Sequence, residues 1–203
     1  KTKFGKFFTM DWINLIKSFD QKFVLLINSI NHPIIDKSMW VISSSSFGVP
    51  FYMLFIYFII KNFSKKNAII IVITTCILVG LGDLIAYELF KETIRRYRPS
   101  HNLYLSDILH LHVHEDGSLY RGGKYGFISN HATNMSTLCC CIFMIFKNIY
   151  KWLWIPLLIF LILISYSRIY LGVHYLTDII GGWLLGFILA SIGIIFLKKI
   201  IKL

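Results

Sequence analysis

Residues 167–178 read Ser-Arg-Ile-Tyr-Leu-Gly-Val-His-Tyr-Leu-Thr-Asp and interrupt an otherwise apolar stretch with Arg168, His174 and Asp178. An ionisable group within a lipid-embedded segment is costly, and its presence marks function with a partner to be found. His174 and Asp178 are four apart. On a helix they share a face, so the carboxylate can orient the imidazole. An oriented imidazole is a good nucleophile toward phosphorus. A merely structural His–Asp pair is hard to sustain with Arg168 so near.

Two further groups carry the same chemistry. Lys91 and Arg98 are seven apart and followed by Pro99. This spacing predicts two helical turns, with both cations facing one point and Pro99 stopping the helix. A lysine point charge and an arginine fork suit a phosphate. By itself the segment equally reads as a solvated basic helix end, since Arg95 and Arg96 lie within it. The third group is Phe127-Ile128-Ser129-Asn130-His131. Ser129 or Asn130 would cap a helix whose free N–H groups form an anion site, and His131 in its first turn could protonate a leaving oxygen. An ordinary cap with an interfacial histidine fits those five residues about as well.

These groups must be positioned by membrane helices. The 203-residue chain is 56% hydrophobic, with a mean hydropathy of +0.66, and its apolar residues come in long runs. The expected fold is all-α: one membrane domain over 1–203, with five spans near 38–60, 67–90, 130–147, 151–168 and 175–197. Ser43 to Ser46 dilute the first. Residues 1–33 form an N-terminal segment, with 11–30 expected as an amphipathic helix in the interface; a sixth, broken span is the alternative. No cleavable leader pattern is evident, and Met10 is a candidate start.

The net charge of +11 would suggest nucleic acid in a soluble protein. Here the lysines sit at the ends of apolar runs, which fits anionic headgroups and argues against a nucleic-acid partner. Lys61, Lys65, Lys66, Lys147, Lys151, Lys198, Lys199 and Lys202 fall on one side of the five-span plan, which becomes cytoplasmic. The loop 91–129 then lies outside with all three polar groups. It is itself basic, which breaks the charge rule and is expected of an anion site; the basic N-terminus breaks it without such a reason. Cys76 and Cys139 to Cys141 lack ligand or disulfide spacing and read as packing residues. His110, His112 and His114 precede an Asp116-Gly117 hairpin signal. A lid is the favoured reading, with Arg121 and Lys124 free to meet a headgroup, over a metal site. Glu88 is a candidate partner of Lys91, and Asp83 at most a support for it. Gly182 and Gly186 suggest close helix packing.

With these residues the chain resembles the type 2 phosphatidic acid phosphatase superfamily. The family signature is Lys-six residues-Arg-Pro, then Pro-Ser-Gly-His, then Ser-Arg-five residues-His-three residues-Asp. The first part matches at Lys91, Arg98 and Pro99, and the third is complete at Ser167, Arg168, His174 and Asp178. The second keeps Ser129 and His131 but has Ile128 for proline and Asn130 for glycine. The resemblance spans about residues 34–190. It implies a metal-independent lipid phosphatase without cofactor, working through a phosphohistidine. By carry-over His174 attacks, Asp178 holds its imidazole, and His131 protonates the leaving oxygen. Lys91, Arg98, Arg168, Ser129 and the Asn130 N–H bind the phosphoryl oxygens.

Small bacterial members suggest undecaprenyl diphosphate or lipid A as substrate, with phosphatidylglycerophosphate behind them. An inner-membrane enzyme with a periplasmic site is the corresponding expectation. The related vanadate-dependent haloperoxidases are soluble and fit five apolar spans poorly. A non-catalytic lipid-phosphate binding or transport protein is the alternative of another class. The sequence does not fix the oligomeric state.

Overall fold

The computed structural model describes residues 3–201; Lys1, Thr2, Lys202 and Leu203 lie outside the described residues, and with them the last lysine of the C-terminal group. The described residues are helical, with α1 Lys3–Asn28, α2 Pro33–Ser43, α3 Val49–Asn62, α4 Lys65–Ile94, α5 Asn130–Phe146, α6 Trp154–Tyr170 and α7 Leu176–Ile200. No strand is present among them, only two isolated antiparallel bridges in the loop between α4 and α5. Three helices are long and apolar enough to cross a membrane: α4, Lys151–Tyr170 and α7. The pair Pro33–Ser43 and Ser45–Asn62 makes a fourth if it is one span, bent by 68°. The bend falls at the serines that dilute this stretch, where Ser44 is extended and its hydroxyl turns back to the Val41 carbonyl.

Helix α5 is the central one. Most of its side chains are buried, including all those from Thr133 to Cys141 other than Asn134 and Cys140. It packs most intimately on α7. A Cβ on Gly186 would sit 2.6 Å from the Thr133 carbonyl and 2.7 Å from the Thr137 amide; one on Gly182 would meet the Ser129 carbonyl at 2.8 Å. The small-residue stripe therefore brings two backbones together, as its spacing suggested. The outward faces of α4 and α7 carry exposed Ile69, Ile73, Ile77, Ile188 and Ile192, which suits lipid rather than water.

Helix α1 turns two polar residues inward along one face. Asp20, Val24 and Asn28, spaced one turn apart, are buried, while Trp12, Leu15, Ile16 and Phe19 are exposed. Asn28 fastens its end, donating to the carbonyls of His110 (2.8 Å) and Tyr170 (2.7 Å) and accepting from the His110 amide (2.7 Å). The chain then breaks at Asn31–His32 before Pro33, which opens α2.

The Lys91–Arg98 segment corrects the expected two-turn helix. A π-helical turn spans Ala86–Lys91, the helix ends at Ile94, and Arg95 takes a left-handed conformation (φ 51°). Arg98 therefore lies on extended chain. Its place is set by pairing with the returning loop: Arg98 N–H donates to the Lys124 carbonyl (3.2 Å) and Gly126 N–H to that of Arg96 (2.9 Å). Pro99 opens a short 3₁₀ turn instead of ending the helix.

Replacing Gly186 by valine should separate α5 from α7 and cost about 3 kcal/mol, the upper end for overpacking. Gly80→Ala, with nothing within 4 Å of the added carbon, should leave stability unchanged or raise it. Thermal unfolding in detergent checks both; equal effects would contradict the backbone contact.

Candidate active site

His174 follows the turn that links α6 to α7. Gly172 makes that turn in the left-handed region (φ 68°), and its carbonyl accepts from the Ser100 amide (3.0 Å). His174 is buried, with Nδ1 3.3 Å from Asp178 Oδ2 and Nε2 2.9 Å from Arg98 Nη1. A guanidinium has donors only, so Nε2 must accept. The ring proton then resides on Nδ1, facing the carboxylate, and the lone pair of Nε2 faces the cations. Burial, followed by the charges of Arg98, Arg168 and Lys91, holds the His174 imidazole well below the usual histidine range. It is neutral at neutral pH.

Asp178 is fully buried and uses both oxygens. Oδ2 also accepts the Tyr175 amide (2.9 Å), closing the first turn of α7, and Oδ1 accepts from Arg96 Nη1 (2.9 Å). Its backbone carbonyl accepts the Ser129 amide (3.0 Å). The starts of α5 and α7 are thereby joined directly. Ser129 is the N-cap of α5, accepting from the Ala132 amide at 3.4 Å, and His131 sits in the first turn, as expected.

The cations surround this junction. Arg98 also donates from Nε to the Tyr125 carbonyl (3.1 Å) and from Nη1 to that of Val173 (3.2 Å). Burial and then Arg168 push it down to about 10, so it stays charged at neutral pH. Arg168 donates to Ser43 Oγ and to the Tyr120 hydroxyl (3.0 Å), and its buried Nε has no partner among the described residues. Lys91 donates to Asn130 Oδ1, and Asn130 Nδ2 donates to Asp83 Oδ1 (2.6 Å). Thus the asparagine in place of glycine works through its side chain, bridging Lys91 to Asp83. Asp83 supports the lysine as expected, but through Asn130. Glu88 points outward, exposed and without an ion pair to Lys91, so that expected pairing is absent.

The loop 99–129 covers the cage. His114 N–H and the Ser118 carbonyl (2.8 Å) close a hairpin turn with Gly117 at φ 82°, beside the Val113–Leu119 bridge. His110 pairs with Asp36 (3.1 Å), and His112 stacks on Trp40 with ring centroids 3.8 Å apart. Tyr120, edge-on to Trp40, carries the hairpin down to Arg168. Arg121 is pinned to the Ser100 carbonyl (2.9 Å), whereas Lys124 is exposed over Tyr97 and Tyr125. Of the two candidate headgroup contacts, Lys124 is the more accessible.

A family model described as the PAP2 superfamily matches residues 80–202. The chain belongs to the PAP2 superfamily. It is 35% identical over 171 residues to a lipid A 4'-phosphatase of Porphyromonas gingivalis, covering 83% of this chain and 69% of that protein. It is 31% identical over 123 residues to an undecaprenyl-diphosphatase of Sulfolobus acidocaldarius, covering 61% and 52%. The fold is similar to that of a PAP2-type phosphatidylglycerolphosphate phosphatase from Bacillus subtilis (TM-score 0.69, 24% identity, 93% of this chain and 89% of that one). With at least three helices long and apolar enough to cross a membrane, it is a multi-pass membrane protein.

Two site residues of this PAP2 chain escaped the motif reading. Arg96, there only a neighbour of Arg98, bridges Asp178 and Asp20 (Nη2 to Oδ2, 2.7 Å) and lies 4.0 Å from the Tyr175 ring centroid. Asp20 on α1 also accepts the Thr177 amide (3.1 Å) and the Thr177 hydroxyl, acting as a cap for α7 from 157 residues away. Breaking a buried pair leaves an uncompensated charge, typically costing about 3–5 kcal/mol. Asp20→Ala and Arg96→Ala should each lower the melting temperature in detergent, and the double variant should lose less than their sum. Additive losses would show that the two charges are not coupled.

Proposed function

We propose that this PAP2 protein is a metal-independent lipid phosphatase that works through a phosphohistidine on His174. The observation that carries the reading is the Nε2 lone pair of His174, held beside Arg98 by a ring whose proton faces Asp178. In the proposed reaction Nε2 attacks phosphorus in line, while Asp178 stabilises the imidazolium that develops. Lys91, Arg98 and Arg168, with Ser129 and the Asn130 N–H at the start of α5, bind the phosphoryl oxygens and the charge that spreads over them. His131 protonates the leaving oxygen, then takes a proton from the water that hydrolyses the phosphohistidine. These groups supply nucleophile, acid and charge without a metal.

We read the whole chain as one domain with five spans, counting the bent α2–α3 pair as the first and the short, buried α5 as the third. On this reading α1 lies at the interface with its apolar face toward lipid. The lysine-rich ends are cytoplasmic, and the site opens to the periplasm of a bacterial inner membrane. The substrate is a phosphorylated lipid of the kinds named for the relatives. A lipid A-type phosphate monoester is favoured by the 35% identity across most of the chain, and undecaprenyl diphosphate is the second reading.

Phosphate release from the two lipids by purified protein in detergent tests this. His174→Ala should abolish release, and saturating chelator should leave it intact; release by His174→Ala would refute the mechanism, and loss in chelator would refute metal independence. The attack also requires neutral His174. Because its folded pKa is depressed, the neutral form persists as pH falls through about 6.5. Nitrogen resonances of labelled histidine, assigned with His174→Gln, should show an unprotonated ring at pH 6; a midpoint at 6.5 or above would contradict the cation cage.

A further inference from the structure

One cavity lies at the end of the bundle away from His174. It is about 700 Å³ in volume. That is within the range of about 300–1,000 Å³ usual for small-molecule sites. Leu54 and Phe58 of α3, Phe146 of α5 and Leu157 of α6 line its depth, and the loop leading into α6 forms its mouth. From His131 to Phe146 the helix α5 rises about 22 Å. A headgroup held at this mouth is therefore out of reach of the catalytic groups.

The wall is apolar in its depth and cationic at its mouth. Of its thirteen residues only Tyr150, Lys151 and Trp152 carry a polar side-chain atom, and they are consecutive. All three are donors. Lys151 and Trp152 are exposed, Trp152 by 76%. The Tyr150 hydroxyl accepts from Asn62 Nδ2 (3.5 Å), which leaves its own proton for another acceptor. Phe63 packs edge-on to Phe146, so the turn between α3 and α4 adjoins the mouth and brings Lys61, Lys65 and Lys66 to it; Lys147 flanks the other side. The chain has no Asp or Glu at 37–82 or 117–177, the segments that build this end. Ion pairs among the described residues involve Arg95, Arg96, His110 and His174, and none of these lysines.

We propose that this cavity binds one anionic phospholipid, distinct from the substrate, with an acyl chain in its depth and the phosphate at its mouth. Lys151 supplies the opposite charge, and Tyr150 and Trp152 supply hydrogen bonds to the phosphate oxygens. An exposed Trp beside a Lys is the pairing that holds a chain at headgroup level. A zwitterionic lipid would bring a further cation among unpaired lysines, so the surrounding charge selects a net-negative headgroup. A second copy of the chain is a poor occupant, because a two-fold contact would set the same lysines against one another. The lipid would join the far ends of α5 and α6, the helices that carry His131 and Arg168. Binding to the folded chain alone stabilises it.

The test uses the full-length chain in detergent with phosphatidylglycerol or phosphatidylcholine of the same acyl chains, read by native mass spectrometry and melting temperature. One phosphatidylglycerol should be retained per chain in preference to phosphatidylcholine, and it should raise the melting temperature. Lys151→Gln should weaken retention about fivefold, the factor for one lysine at an anionic membrane surface. Leu54→Trp, which fills the cavity from a half-exposed position, should abolish it. Saturating inorganic phosphate, directed at the catalytic cations, should leave it unchanged. Equal retention of the two lipids, or retention unaffected by both substitutions, would overturn the site. Displacement by phosphate would overturn it too, by placing the lipid at His174. So would a dimer that Leu54→Trp dissociates and lipid does not affect. Lys151→Gln alters an exposed, unpaired side chain and carries the test if Leu54→Trp does not fold.

Discussion

The site depends on one buried carboxylate. Asp178 has no access to water, so every lone pair must find a donor within the protein, and the donors it finds fix its neighbours. His174 Nδ1 meets one oxygen, which leaves Nε2 facing the cations. The Tyr175 amide closes the helix that carries both residues, and Arg96 ties that helix to α1. The Asp178 carbonyl meanwhile holds Ser129 at the start of α5. One residue thus adds several directional bonds where α1, α5 and α7 meet, beyond the apolar packing between them, which has no directional preference.

That junction requires the helices beneath it to approach closely. Gly182 and Gly186 let α7 rest on the backbone of α5, bringing the His131 turn and the His174 turn to one level. The cations arrive by different routes: Arg168 from the end of α6, Lys91 from a π-helical turn of α4, and Arg98 from extended chain paired with residues 124–126. Gathering three positive charges around a neutral histidine is unfavourable in itself. The arrangement is complementary to an anion, so it favours a phosphoryl group with charge spread over its oxygens.

Much of this was legible in the sequence because the motifs are local. His174 and Asp178 are one helical turn apart, Ser129 and His131 share a helix start, and Gly182 and Gly186 lie on one stripe. What the sequence concealed is tertiary. Nothing near Asp20 shows that it caps a helix beginning at Leu176, and Arg96 among other basic residues looks like solvated charge until its two carboxylates are placed beside it. The spacing of Lys91 and Arg98 suggested a continuous helix, yet the loop pairing of Arg98 required the chain to leave the helix at Arg95. Asn130 was visible as a departure from the family pattern, but its side-chain bridge from Lys91 to Asp83 depends on two other parts of the chain.

The central claim is that His174 Nε2 takes the phosphoryl group. The most direct measurement is a rapid acid-free quench of the protein turning over a lipid phosphate, followed by phosphorus NMR and mass spectrometry of its peptides. The account predicts a phosphoramidate on the peptide containing His174, stable in base, labile in acid and absent from His174→Ala. A phosphorylated residue elsewhere, or turnover in which label passes directly to water with His174 never modified, would contradict it.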